Sequence, residues 1–156
     1  MNSTRFIGRA QTAIDEKGRT SFPREFRRQL EPGEGENLVV TKFPGHALKL
    51  YVYSKYEEFL AELESRPDRR QADYARRFLD ETLVSLDAQN RILLPKRLID
   101  YAGLKGEVLY VPSHGKTLEL WNPETFEKSL GGTAEDFEKA FEEAIYGLTE
   151  GSGAGS

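Results

Sequence analysis

The chain has no cysteine, which excludes disulfides and thiolate metal sites. Histidine is nearly as scarce: His46 and His114 are the only two, and each stands beside a turn glycine. There is no nucleophile elbow, no phosphate-cradling loop and no cluster of metal-ligand residues. The expectation is a protein that is not an enzyme, with no cofactor, no metal, no catalytic residue and no small-molecule substrate. No apolar run approaches the roughly 20 residues that cross a bilayer. Met1–Phe6 lacks the apolar core of a signal peptide. A cytoplasmic protein with no membrane partner is expected. Hydrophobic residues make up 38% and charged residues 31%, a balance that excludes wholesale disorder.

A global excess of basic charge is also missing, since the formal net charge is −4. Charge is nevertheless uneven. Residues 1–29 carry Arg5, Arg9, Lys17, Arg19, Arg24, Arg27 and Arg28 against Asp15, Glu16 and Glu25, a local balance of +4. Residues 131–150 carry Lys139 against six carboxylates, a local balance of −5. Salt screens charges over about 10 Å, so an anionic partner meets the local face and not the sum. The N-terminal part is where such a partner is expected.

What the sequence does have is an internal repeat. Asp15-Glu16-Lys17-Gly18-Arg19 and the segment through Pro23-Arg24 match Asp87-Ala88-Gln89-Asn90-Arg91 and the segment through Pro95-Lys96, at an offset of 72. The shared frame is D-x-x-x-R-x-x-x-P followed by a basic residue. Phe6 and Phe78 keep the same offset. Gly45–Tyr51 then matches Gly115–Trp121 at an offset of 70.

Each copy predicts strand, turn, strand, short helix and two further strands. The first pair is Gln11–Ile14 with Arg19–Phe22, and Thr82–Leu86 with Arg91–Leu94. The second is Leu38–Lys42 with Ala47–Val52, and Val108–Val111 with Thr117–Trp121. Gly18 sits where the turn needs positive φ, and Asn90, the non-glycine residue that best tolerates it, replaces it in the second copy. Pro23 and Pro95 are expected at the first helical position. Phe26 and Leu30 share one side of the first short helix. Ser54–Glu57 reads as a capping box, followed by an apolar stripe of Tyr56, Phe59, Leu60 and Leu63. A further helix past Pro67 carries Tyr74 and Phe78. Thr133 is expected to cap an amphipathic helix with Phe137, Ala140, Phe141, Ala144, Ile145 and Leu148 on one face.

One copy is too small to bury its own core, so two should share one. The expected fold is mainly β with helices (α+β): duplicated β-rich units with pseudo-two-fold symmetry plus flanking helices. The expected organisation is a first unit with its following helix over 5–66, a second unit over 67–130, a C-terminal amphipathic helix over 131–150, and a flexible tail over 151–156.

The duplicated D-x-x-x-R…P segment, with the Tyr-Ala-Gly-Leu and Leu-Glu-Leu-Trp blocks, closely resembles the MraZ family of AbrB-like swapped-hairpin proteins. The resemblance covers roughly residues 5–130 and implies that the duplicated units are swapped-hairpin β-barrel units. It implies a regulator of the bacterial division and cell-wall gene cluster, associated with the nucleoid. It also implies a closed, octamer-like ring homo-oligomer bound to short G-rich direct repeats in double-stranded promoter DNA. Carried over by position, the loop arginine is Arg19 with Lys17 as its neighbour, and Arg91 is the second-copy equivalent. Asn90 departs from the glycine usual in the family.

On that footing Lys17, Gly18, Arg19 and Arg91 are the candidate DNA-binding residues, with Arg5 and Arg9 flanking the same surface through phosphate contacts. Asp15 and Asp87 are read as structural, capping their turns and pairing with the arginine. Arg24, Arg27 and Arg28 are read equally well as a solvated helix face. Two other functions stay open: an AbrB-like antitoxin, which the duplication argues against, and a ring-forming interaction scaffold, which the acidic C-terminal helix would suit.

Overall fold

The computed structural model describes residues 4–129 and 134–153. Two matching strand–turn–strand segments begin the two copies. β1 (Ala10–Ala13) and β2 (Arg19–Ser21) flank the first Asp-containing turn, and β5 (Thr82–Val84) and β6 (Arg91–Leu93) flank the second. A short helix follows each: α1 (Arg24–Arg27) and α4 (Lys96–Ala102). The apolar runs after them form β3 (Leu38–Phe43) with β4 (Ala47–Val52), and β7 (Glu107–Pro112) with β8 (Thr117–Trp121). Between the copies lie α2 (Tyr53–Glu64) and α3 (Arg69–Leu79).

The strands interleave. Six of them form one sheet in the order β1-β7-β8-β4-β3-β5, and β2 pairs with β6 separately. Exchanging each strand for its repeat partner reverses that order, as a two-fold axis between β4 and β8 requires. The registers agree residue by residue. Leu48 faces Leu120 and Leu50 faces Leu118, which are one relation seen from both sides. Ala10 faces Tyr110, and its equivalent Thr82 faces Val40. The axis passes through the Lys49–Glu119 pair in the sheet and the Thr20–Ile92 pair in the ribbon. The pseudo-two-fold arrangement and the α+β class are thus as expected.

The pairing does not close two barrels. Among the described residues the sheet ends at β1 and β5, and β2 joins β1 through the single Ile14–Thr20 bridge. The reason is length: β2 and β6 have three residues each and spend their ladder on one another. One core serves both copies, built around Phe22, Phe26, Leu48, Leu50, Ile92, Leu98, Tyr110, Leu118 and Leu120. A second small cluster, Val39, Tyr51 and Tyr56 with Phe59 and Leu60, seats the stripe of α2 on the other sheet face. Burial pushes the Tyr51 hydroxyl up to about 12.

Three helix starts differ from expectation. Pro23 and Pro95 are N-caps with extended backbone, one position before the helix, where their carbonyls accept the first helical N–H bonds. Ser54 caps nothing: α2 grows directly out of β4 with Val52 as cap, and Asn37 O accepts the Tyr53 N–H. The strand's own hydrogen bonding fixes that entry, so no capping side chain is needed. Asp68 does cap α3, accepting the Gln71 N–H at 3.0 Å.

The chain divides after Pro123 into two compact units. The second contains most of α5 (Pro123–Ser129) and all of α6 (Ala134–Gly153). Phe137, Phe141, Ile145 and Tyr146 of α6 are exposed. Thr133, expected to cap this helix, lies outside the described residues, as does the Leu148 side chain. α6 runs to Gly153, three residues past its expected end.

Candidate nucleic-acid interface

The ribbon of β2 and β6 carries the site. Alternation in Arg19-Thr20-Ser21 and Arg91-Ile92-Leu93 sends the middle residue of each strand inward. Thr20 and Ile92 are both fully buried. The flanking residues face outward: Arg19 lies opposite Leu93, and Ser21 lies opposite Arg91. Arg19 and Arg91 are therefore diagonal neighbours on one exposed face, at about 7–8 Å. From sequence they are equivalent residues on separate loops; the tertiary pairing brings them together.

Each arginine is held by its own aspartate. Asp15 accepts the Lys17 N–H at 3.0 Å, the Arg19 N–H at 2.9 Å and Arg19 Nε at 2.7 Å. Asp87 accepts the Gln89 N–H at 2.9 Å, the Arg91 N–H at 2.9 Å and Arg91 Nε at 3.0 Å. The Arg19 backbone N–H is the largest influence holding the Asp15 carboxyl below its ordinary 3.8, and the Arg91 N–H does the same for Asp87. The carboxylates thus staple the turns. Each engages only the inner edge of its guanidinium, and among the described residues the Nη groups of Arg19 make no hydrogen bond. Arg91 Nη2 is tied to Gln89 Oε1 at 3.2 Å.

The ribbon is braced from below. Thr20 Oγ1 bonds Tyr110 Oη and Thr12 Oγ1, each at 3.0 Å, and Thr12 Oγ1 donates to Ser21 O at 2.9 Å. Reciprocal bonds tie each turn to the other copy: the Leu94 N–H to Gly18 O, and the Phe22 N–H to Asn90 O, both at 2.9 Å.

The remaining candidate residues scatter. Gly18 has φ +92° and is buried; a Cβ there would stand 2.5 Å from Leu94 O and 2.8 Å from Ile99 Cδ1. Its place is structural. Lys17 is exposed at the first turn, rimming a depression of about 690 Å³ with Lys96 and Lys105, whose charges are matched by Asp15, Glu16 and Asp100. Arg5 does not join this surface. Phe6 N–H bonds Gly115 O at 3.0 Å, which puts Arg5 beside the β7–β8 turn, at the opposite end of β1 from the first Asp turn. Arg9 is exposed just before β1. Arg27, read as surface, is half-buried, with its Nε out of solvent. Ser21 and Leu93, not among the sequence candidates, also stand on this face; the two-residue alternation after each arginine is the signal for them.

A strand-swapped duplicated protein presenting a short antiparallel ribbon with two stapled arginines is the class that fold and site define. A family model described as "MraZ protein, putative antitoxin-like" matches residues 77–146. Transcriptional regulator MraZ of Bacteroides fragilis is 33% identical over 129 residues, covering 80% of this chain and 81% of that protein. The protein of the same name from Leuconostoc citreum is 32% identical over 136 residues, covering 85% and 92%. That from Thermomicrobium roseum is 37% identical over 125 residues, covering 78% and 84%. The chain belongs to the MraZ family.

Among the described residues there is no group of side chains that could hold a metal, and no helix is long and apolar enough to cross a membrane.

Proposed function

We propose that this chain is a DNA-binding transcriptional regulator, and that the outer face of the β2–β6 ribbon is its contact surface. The observation that carries the reading is the placement of Arg19 and Arg91 as diagonal neighbours on that face, each stapled by its aspartate. A two-stranded ribbon fits the major groove, and an arginine fork matches the O6 and N7 acceptors of guanine. The names of the relatives, all transcriptional regulators, support it. Lys17 supplies phosphate attraction beside the first turn, and Arg9 and Arg5 act at most on more distant phosphates. In keeping with the family resemblance, the target is a set of short direct repeats in promoter DNA of the division and cell-wall cluster. The chain binds them as a closed ring, with residues 5–66 and 67–130 as its repeating halves.

The ring follows from strength. One ribbon offers two arginines, too few for firm binding alone. Repeating it at fixed spacing makes later contacts intramolecular and multiplies affinity. The test compares duplexes with one and with several repeats from upstream of the protein's own coding sequence, at several salt concentrations, alongside mass in solution. Steeply salt-dependent binding that needs several repeats and an assembled protein is expected. Equal affinity for a single repeat, or a monomer binding as tightly as the assembly, overturns the ring mechanism.

A further inference from the structure

An apolar side chain stands at one end of the ribbon ladder, across from an arginine. Leu93 is 57% exposed and lies directly opposite Arg19. Its repeat counterpart is Ser21, directly opposite Arg91. The pseudo-two-fold would make this face self-matching, and the leucine breaks the match. Directly opposite residues of a ribbon have Cβ atoms about 4.5–5.5 Å apart. Leu93 and Arg19 therefore leave the ribbon side by side on its outward face. On the major-groove edge of the bases the apolar group is the thymine C5-methyl, and guanine presents the acceptors an arginine uses.

We propose that Leu93 is a specificity-determining residue whose side chain packs on the methyl of a thymine adjacent to the guanine held by Arg19. The proposal rests on the DNA-binding reading above. It gives the site a direction: a ribbon with identical halves reads a palindrome, whereas one half carrying Arg19 with Leu93 and the other Arg91 with Ser21 favours an asymmetric step. Asymmetric steps suit sites arranged head to tail.

The experiment selects duplexes from a random pool with the full chain, then remakes the enriched site with deoxyuridine at each thymine in turn, deleting only the methyl. At the thymine beside the key guanine, binding should weaken about fourfold per contacted methyl, the effect of removing one buried methyl group. Leu93→Ser, which copies Ser21, should bind thymine and uracil duplexes equally and keep its melting temperature. No enriched sequence, or an Arg19→Ala variant that binds like wild type, overturns the DNA-binding reading itself. An enriched site at which every uracil is silent, or at which Leu93→Ser stays as sensitive as wild type, overturns the role of Leu93 alone. A change of mass in solution with Leu93→Ser, at unchanged uracil sensitivity, also overturns it. That result would assign the leucine, with Leu83 on the same shallow groove, to contact with a second copy.

Discussion

The two Asp turns share one hydrogen-bond pattern and differ in what surrounds it. In both, a carboxylate accepts two backbone N–H groups and its arginine's Nε. The tip of the first is Gly18, buried against Leu94 and Ile99; that of the second is Asn90, exposed at φ 60°. The residue before the tip is Lys17 in one and Gln89 in the other, and only Gln89 bonds its arginine's outer edge. The shared staple is what the fold needs. The differences leave the first turn with the freer guanidinium and an added Glu16–Lys17 pair of opposite charges. Repeat copies thus keep their structural chemistry identical while their surface chemistry diverges.

The largest expected effect separates the arginines. Arg19→Ala should remove most sequence-specific DNA binding while the thermal midpoint barely moves. One bidentate base contact is worth about 1–3 kcal/mol, and several subunits multiply the loss. Arg91→Ala should weaken binding less, because Gln89 already occupies part of its guanidinium. Titration by fluorescence anisotropy checks both, and equal losses would erase the distinction between the turns.

Next comes the tip residue. Gly18→Ala meets the Leu94 carbonyl and keeps a left-handed backbone. It should destabilise by about 1–2 kcal/mol from the conformation and about 1–3 kcal/mol from overpacking, read as a shift of the urea midpoint. Asn90→Gly should stay within about 0.5 kcal/mol of wild type.

A smaller effect tests the brace beneath the first arginine. Tyr110→Phe removes one of the two side-chain partners of the buried Thr20 hydroxyl and should cost about 1 kcal/mol. A neutral result would mean that Thr12 alone satisfies Thr20.

Converting one turn toward the other is expected to do less to stability still. Gln89→Lys frees Arg91 Nη2 and adds a charge, so affinity and the salt slope should both rise, the slope by about one. An unchanged slope would place the second turn away from phosphate.

Acid should treat the turns alike. Both carboxyls sit below 3.8 because they accept backbone N–H bonds, with the arginine adding to the effect. A depressed folded value means the staple contributes fully above pH 3.8 and is lost as pH falls through the depressed value. Carboxyl-carbon titration by NMR should therefore give midpoints under 3.8 for Asp15 and Asp87, with no change near neutrality. A midpoint at or above 3.8 for either one breaks the equivalence of the staples.

By itself the sequence determined the duplication, the strands, both positive-φ turns and the aspartate–arginine staples. All of these are encoded within a few residues: alternation sets a strand, a D-x-x-x-R spacing closes a turn, and glycine or asparagine permits φ above zero. It misplaced the start of α2 because Ser54–Glu57 has capping chemistry, and whether a cap is used depends on how the preceding strand enters. It read Arg5 as a neighbour of Arg19 because both are basic and near in sequence, while the antiparallel run of β1 along β7 carries them to opposite ends. Tertiary structure decided which strands paired. The two copies could have closed separately; instead β2 and β6, too short to be stable edges alone, found each other across the pseudo-two-fold axis. That long-range pairing put Arg19, Ser21, Arg91 and Leu93 on one face, and no local pattern could have specified it.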